Sequence, residues 1–194
     1  GFVPTMSLGS TVFYDVDDSG DQDEDNPLEY GIAGATVNLY YDANGDGVID
    51  GAELTPIDMT VTDDNGDYLF DSLATGIYQV GVLAPSDAIA ASAIQDAADD
   101  DNDGTNDGAQ ALGEGEGNES LSGLVDLQPG TEPQGGDEAF QGGEQDDTDP
   151  LQDGNGNMTV DFGFVPTNSV GSTVFFDMDD NGEQNGVTEV GIPN

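Results

Sequence analysis

The sequence predicts an all-β fold, built from short strands and acidic loops and arranged as a tandem-repeat array. Three observations lead to this prediction. Short segments alternate apolar with polar residues, as half-buried strands do. Several connections between them carry aspartates at the spacing of calcium-binding loops. The first residues of the chain also recur near its end. Together these features favour an extracellular structural protein over an enzyme.

Seven segments are rich in β-branched and aromatic residues and are predicted to be strands. They cover residues 9–15, 34–41, 54–62, 67–71, 77–84, 119–128 and 157–165. Asn65-Gly66 lies between the third and the fourth, where it is typical of a hairpin turn. The aromatic and aliphatic residues spaced by two in the fourth and fifth are expected in the core. An alanine-rich stretch at residues 87–98, preceded by Ser86, is predicted to form a short helix.

Residues 42–53 match a complete twelve-residue calcium loop, in which oxygen ligands follow one another at fixed positions. Gly47 permits the sharp turn of such a loop, Val48 offers a backbone carbonyl, and Glu53 provides the closing bidentate carboxylate. The predicted ligands are Asp42, Asn44, Asp46, Val48, Asp50 and Glu53. The alternative is an acid-rich turn that matches by chance. Because the segment joins strands, the ion would act as a clamp on a β-connection.

Three further loops match the same pattern in part. The first contains Asp15, Asp17, Ser19, Asp21 and Asp23, and is predicted to close on Glu29 from a longer loop. Its second copy contains Asp177, Asp179, Asn181 and Glu183, and closes on Glu189. The third contains Asp99, Asp101, Asp103, Thr105 and Asp107. The alternatives are solvated acidic turns for the first two and an acidic linker for the third.

The charge of the chain is extreme. Among its 194 residues are 42 Asp plus Glu and no Lys, Arg or His, which gives a formal net charge of -42. No salt bridge between side chains can form, so close carboxylates must be protonated, separated by solvent or held by metal ions. Without Cys or His the metal is expected to be calcium, with several Ca²⁺ ions per repeat. Because of charge repulsion, we do not expect nucleic acid or anionic membranes as partners.

An internal repeat divides the chain. Residues 1–20 recur at residues 163–182 with 15 of 20 positions identical and an offset of 162. Fixed spacing of this kind indicates an array. We expect residues 1–6 to end one repeat, residues 7–167 to form a complete repeat with a long acidic insertion at 85–156, and residues 168–194 to begin the next. The partners would be neighbouring repeats or identical subunits joined head to tail; the alternative is a two-domain protein with a truncated second domain.

One stretch of the chain resembles a known family. It has the spacing T-D-x-x-G-x-Y-x-F-x-x-L-x-x-G-x-Y-x-V-x-V, carried by Thr62, Asp63, Gly66, Tyr68, Phe70, Leu73, Gly76, Tyr78, Val80 and Val82. This is similar to the B-repeat domains of serine-aspartate-repeat surface proteins. The resemblance covers residues 9–84 and resumes at 171. It implies a Cna-B-like β-sandwich of the Ig-like or prealbumin type that binds calcium and forms stalks on bacterial surfaces. Many Cna-B domains contain a lysine isopeptide bond, which this chain cannot form because it has no lysine.

The predicted function is therefore a calcium-stabilised structural repeat of an extracellular, cell-surface or secreted filament or adhesin stalk. The alternative is an adhesive module whose loops bind an unidentified surface ligand: a protein, a glycan or a mineral. An enzyme is not expected, because carboxylates and hydroxyls are almost the whole catalytic inventory. Direct membrane insertion is not expected either, since no stretch of about 18 residues is continuously apolar.

Overall fold

The computed structural model describes residues 4–22, 26–86, 88–92, 108, 119–132 and 155–167. They form ten strands and one short 3-10 helix, Gly51–Leu54. The strands are β1 (Met6–Tyr14), β2 (Thr36–Tyr41), β3 (Asp58–Val61), β4 (Asp67–Leu73), β5 (Gly76–Leu83), β6 (Ala88–Ala91), β7 (Glu119–Leu121), β8 (Val125–Leu127), β9 (Gly156–Asn157) and β10 (Phe162–Pro166). None of the helices in these ranges is long and apolar enough to span a membrane.

The strands divide into two sheets that pack face to face. The first has the order β4-β1-β10-β6, with β9 also pairing with β1. The second has the order β3-β2-β5-β7, with β8 also pairing with β5. The all-β sandwich is thus confirmed.

The core lies between the inner faces of the two sheets. Alternate residues of β1, β2, β4 and β5 point inward, as the period of two in a strand requires. The predicted core residues Tyr68, Phe70, Tyr78, Val80 and Val82 are all buried. They pack in one cluster with residues of the other strands, which include Leu8, Val12, Val37, Leu39, Val125, Leu127, Phe162 and Phe164.

β1 holds the first sheet together. One side pairs antiparallel with β4. The other side pairs in parallel, first with β9 at residues 7–8 and then with β10 at residues 12–14. Because β1 and β10 run in the same direction, the N-terminal end of β1 and the C-terminal end of β10 lie at opposite ends of the first sheet.

The prediction of seven strands is wrong for the described residues, although all seven segments contain strand. Residues 119–128 divide into β7 and β8, and residues 157–165 overlap β9 and β10. The predicted helix is also wrong where the structure describes it, because residues 88–91 form β6 against β10. Pairing with a core strand outweighs the weak helix propensity of so short a segment. Residues 93–98 of that prediction lie outside the described residues.

The Asn65-Gly66 turn connects two sheets and does not form a hairpin, since β3 pairs with β2 and β4 pairs with β1. Gly66 donates its backbone N–H to the carbonyl of Asp63 at 3.1 Å and has φ of 91°. A β-carbon on Gly31 would overlap the carbonyl of Asn65, so the backbones of Gly31 and Gly66 approach more closely than side chains allow. This contact fixes the connection over the end of β1.

Candidate metal sites

The first acidic loop begins where β1 ends. The backbone N–H of Asp15 donates to the carbonyl of Phe164 in β10 at 3.0 Å, which fixes the residue at the end of the sheet. Its side chain is completely buried. The two carboxylate oxygens accept hydrogen bonds from the N–H groups of Ser19 at 3.0 Å and Gly20 at 2.9 Å. Gly20 has φ of 91°, a conformation that glycine adopts without strain. The loop therefore curls around the carboxylate of Asp15.

Three carboxylates converge in this loop. Asp15, Asp17 and Glu29 each place a carboxylate oxygen within 4.8 Å of the others. Calcium binds oxygens at about 2.3–2.6 Å, so two ligands of one ion lie at most about 5 Å apart. The three residues therefore fit one calcium ion.

The structure explains how a glutamate so far along the chain reaches the site. Glu29 is 5% exposed, and its carboxylate accepts hydrogen bonds from the N–H of Val16 at 3.3 Å and from Asn26 Nδ2 at 2.9 Å. The structure places Glu29 beside Asp15 and Asp17, whereas the ion that these residues were predicted to bind stays a prediction. Asn26 was not among the predicted ligands, because it occupies the twelfth position counted from Asp15, where the pattern requires an acid; in the structure it donates to the closing Glu29.

Two other predicted ligands of this loop lie beside the triad. Ser19 Oγ is 3.4 Å from both the backbone nitrogen and the backbone oxygen of Asp21. The structure does not place the carboxylate of Asp21 in the triad. Asp23 lies outside the described residues, as do the whole predicted loops at 99–107 and 177–189.

The central loop follows β2 and has a similar backbone arrangement. The carboxylate of Asp42 accepts hydrogen bonds from the N–H groups of Gly45 at 2.6 Å and Gly47 at 2.7 Å. Both glycines have positive φ, 73° and 78°. The carboxylate of Glu53 accepts bonds from the N–H groups of Ala43 at 3.0 Å and Asn44 at 3.1 Å. The closing glutamate thus lies against the start of its own loop.

The remaining predicted ligands of the central loop form the turns within it. Asn44 Oδ1 accepts the N–H of Asp46 at 2.8 Å, and Asp46 Oδ1 accepts the N–H of Val48 at 3.0 Å. Asp50 precedes the 3-10 helix, and its own N–H lies 3.4 Å from Glu53 Oε2. In the described ranges, the one cluster of three acids with ligand atoms within 4.8 Å is that of the first loop. The backbone of the central loop is therefore curled as predicted for a calcium loop, but three of its carboxylates do not lie within 4.8 Å of one another.

The hydrogen bonds around Asp42 change its acidity. Burial alone would raise the pKa of this carboxyl, but bonds from the backbone N–H groups of Gly47, Gly45, Asp46 and Asn44 outweigh burial and hold the pKa below its usual value. The group therefore stays ionised to a lower pH than an ordinary aspartate does. An ionised carboxylate is the form that binds a metal ion.

The first loop and the central loop share a pattern of backbone hydrogen bonds that their sequences alone did not reveal. In each, the first aspartate accepts the N–H of the glycine five residues later, Gly20 or Gly47. In each, the closing glutamate accepts the N–H of the residue that follows the first aspartate, Val16 or Ala43. The longer first loop therefore closes in the same way as the twelve-residue loop.

A further buried carboxylate was missed by the sequence analysis. Glu132 accepts hydrogen bonds from the N–H of Gln128 at 2.5 Å and from Asn157 Nδ2 at 3.2 Å. It connects the turn after β8 to β9 and so joins the two sheets. Glu132 lies in a stretch without ligand spacing, and no local signal in the sequence could have identified it.

The comparisons with known proteins agree with this architecture. The SdrD B-like domain family matches residues 6–122. The chain is 30% identical to serine-aspartate repeat-containing protein F of Staphylococcus epidermidis over 193 residues, which is 98% of this chain and 9% of that protein. It is 41% identical over 83 residues, 43% of this chain and 6% of that protein, to a protein of Staphylococcus epidermidis named fibrinogen-binding protein.

A relative outside the bacteria is also similar. Colossin-B of Dictyostelium discoideum is 35% identical over 83 residues, which is 43% of this chain and 2% of that protein. The chain spans less than a tenth of the length of each of these three relatives. The family match covers more than half of the chain and shows that the chain belongs to the SdrD B-like domain family.

Proposed function

We propose that this chain is a calcium-stabilised structural repeat of an extracellular surface filament or adhesin stalk, and that it is not an enzyme. The observation that carries the proposal is the convergence of Asp15, Asp17 and Glu29. Two of these acids are buried, and the chain has no cationic side chain to neutralise them. A bound divalent ion provides the missing positive charge and orders the loop at the same time.

Calcium suits the site better than other metals. All three candidate ligands are carboxylates, and the chain contains neither the thiol nor the imidazole that zinc prefers. Backbone carbonyls and water can complete the six to eight oxygens that calcium takes. An ion held at about 100 times its dissociation constant adds roughly 2.7 kcal/mol to the free energy of unfolding. Such a contribution is a large fraction of the stability of an ordinary domain.

The topology suits a stalk. From Met6 to Tyr14 the chain advances roughly 26 Å at the usual rise of a strand, and the parallel β10 continues in the same direction. Residues 1–5 and 163–167 have the same sequence, which places a copy of the end of β10 immediately before β1. A preceding repeat would therefore pass from its own β10 into β1 through a very short connection. Short connections between successive repeats favour an extended, stiff array.

Thermal unfolding of the 194-residue chain tests the proposal. Millimolar calcium should raise the unfolding midpoint well above that in excess chelator, and magnesium should raise it less. Asp46→Ala or Glu53→Ala should lower the midpoint in calcium and change it little in chelator. If the midpoint is the same with and without calcium, the loops are acidic turns and the proposal is wrong.

A second candidate function is adhesion, because one relative is named for binding fibrinogen. In that case the sandwich of this chain would itself bind a surface ligand, and the ions would shape its loops. Titration of the calcium-loaded chain with fibrinogen distinguishes the two candidates. Saturable binding would favour the adhesive module, whereas its absence would leave the spacer as the better account.

A further inference from the structure

The outermost strand of the second sheet carries an exposed apolar row. In the part of the chain that the structure describes, β3 pairs with β2 on one side and with no strand on the other. Ile57, directly before the strand, and Met59 and Val61 within it alternate with polar residues and are 56%, 62% and 59% exposed. Residues two apart lie on the same face of a strand, so the three side chains form one row. The backbone edge beside the row has no strand partner among the described residues, although the N–H of Met59 donates to Asp58 Oδ1 at 2.8 Å. Open edges of this kind can pair with another chain.

Acids surround this edge. Asp58 lies within β3 and is exposed, and on the outer face Asn38 Nδ2 and Tyr40 Oη donate to the carboxylate of Glu119 at 2.9 Å and 2.8 Å. Asn38 is the register partner of Met59, so the carboxylate of Glu119 is separated from the apolar row by the side chains of β2. Further acids come just before and just after the strand: Asp50, Glu53, Asp63 and Asp64.

These charges decide which partner the edge can accept. A second copy of the chain would bring another formal charge of -42 and no cation, so edge-to-edge pairing of two copies is opposed by repulsion. A strand that carries lysine or arginine is attracted by the same field. The edge is therefore protected against self-association and remains open to a basic partner.

We propose that the edge of β3 that no described strand occupies binds an extended, basic polypeptide segment, which adds to the second sheet as a further strand. Apolar side chains of the added strand would lie next to Ile57, Met59 and Val61. Its alternate side chains would lie on the opposite face, where Asp58 can pair with lysine or arginine. Backbone hydrogen bonds supply affinity, and the alternation of apolar and basic residues supplies selectivity. This role is separate from the calcium loops and does not depend on them.

The test uses the whole chain in millimolar calcium and a labelled peptide of alternating lysine and valine. Fluorescence anisotropy should show saturable binding that weakens as salt is added. The double variant Met59→Gln with Val61→Thr keeps the charge and removes the apolar row, and should weaken binding by about fivefold or more. Asp58→Asn should weaken it as well. Leu124→Gln, at the opposite edge of the same sheet, is the matched control and should leave the affinity unchanged.

Two peptide controls separate strand addition from simple charge attraction. A peptide of alternating glutamate and valine should not bind. The lysine-valine peptide with alternate backbone nitrogens methylated keeps its charge and loses backbone donors, so it should bind much more weakly than the parent. Equal binding by the methylated peptide would overturn the proposal, and so would unchanged affinity in the double variant. Self-association of the peptide-free chain that is abolished in the double variant would assign the edge to a second copy and would also overturn it.

Discussion

The two buried acids of the first loop differ from an ordinary surface carboxylate in having no solvent to stabilise their charge. Asp15 is fully buried, and its carboxylate is held by two backbone N–H groups. We predict that Asp15→Asn will abolish the calcium site. Loss of an ion that contributes about 2.7 kcal/mol corresponds to a fall of about 5 to 10 °C in the unfolding midpoint in calcium. In chelator the change should be small, because asparagine also removes a repelled charge.

Asp18→Asn is the matched control for this prediction. It removes the same charge three residues along the same loop, outside the triad, and Asp18 has φ of 60°, which asparagine tolerates well. Differential scanning calorimetry with calcium or chelator compares the two variants. A fall of equal size in both solutions for Asp15→Asn would show that the residue acts only through the fold.

Asp67 is not a predicted metal ligand, and its carboxyl shows how burial and a neighbouring negative charge affect the stability of the fold. Burial, and then the negative charge of Asp63, raise the pKa of its carboxyl above the usual value. The folded state thus binds a proton more readily than the unfolded state, so ionisation of Asp67 at neutral pH destabilises the fold. This penalty disappears as the pH falls through the raised pKa toward the ordinary one.

We therefore predict that Asp67→Asn will raise the unfolding midpoint at pH 7 by roughly 1 to 2 °C, because the group is partly exposed and solvent screens it. The gain should vanish near pH 3, where the wild-type carboxyl is protonated. Calorimetry across this pH range in chelator measures the difference. A gain that persists unchanged in acid would show that packing and not charge is responsible.

At the scale of single residues, the sequence predicted the candidate ligands of both described loops but not the groups that position them. Fixed spacing identified Asp15, Asp17 and Asp42, because a loop that wraps one point imposes its own period. Glu132 escaped because it acts through a contact that the folded chain creates, and Asn26 escaped because the pattern requires an acid at its position. The sequence also could not predict which loop brings its carboxylates close together, since both match the pattern in whole or in part and only the first has three within 4.8 Å of one another.

At the scale of elements, the close approach of two backbones secures the connection between the sheets. A β-carbon on Gly66 would overlap the carbonyl oxygen of Val12 and would lie 2.6 Å from Gly31 Cα. We predict that Gly66→Ala will destabilise the fold by about 2 to 4 kcal/mol, through steric overlap added to an unfavourable φ. The loss should be the same in calcium and in chelator, because the contact lies outside both loops.

Gly34→Ala isolates the conformational part of this effect. Gly34 also has positive φ, 75°, but a β-carbon there would meet nothing within 4 Å. Its substitution should cost only about 1 kcal/mol. Urea unfolding of both variants gives the two free energies. Similar losses at the two positions would mean that the approach to Gly31 contributes nothing.

The elements themselves were predicted with uneven success, for a physical reason. β2 and β4 alternate in burial, β1 and β5 are rich in β-branched or aromatic residues, and the sequence located all four within a few residues. β6 is made largely of alanine, and its extended form depends on pairing with β10, which follows it by some seventy residues. Local propensity carries no information about so distant a partner, so the prediction of a helix was wrong there.

At the scale of the whole molecule, the absence of basic side chains makes every electrostatic interaction between side-chain charges repulsive. Hydrogen bonds and packing hold the described sandwich against this repulsion. A bound calcium ion would turn this repulsion into attraction between the ion and the nearby carboxylates. The two described acidic loops follow strands of different sheets, β1 and β2. Composition alone led us to expect calcium, whereas the parallel direction of β1 and β10 could not be predicted from the sequence.

The parallel pairing of β1 with β10 predicts a mechanical property. If the chain is pulled from residues 5 and 167, the two strands are drawn in opposite directions along their length, and the bonds at residues 12–14 and 162–164 are loaded together. If it is pulled from residues 36 and 61, which face each other across β2 and β3, the bonds open one pair at a time. We predict a clearly higher unfolding force for the first geometry. Because the chain has no cysteine, Thr5→Cys with Thr167→Cys and Thr36→Cys with Val61→Cys give two unique pairs of attachment points.

Single-molecule force spectroscopy on these two variants measures both forces, each in calcium and in chelator. Calcium should raise the force in the first geometry, because Asp15 directly follows the part of β1 that pairs with β10 and its backbone N–H bonds to the carbonyl of Phe164 in β10. It should raise the force less in the second, since β3 lies in the other sheet. Equal forces in the two geometries would refute a stalk that bears load through its first and last strands. If the force in the first geometry is high but the same with and without calcium, β1 and β10 carry the load and the ion does not contribute to it.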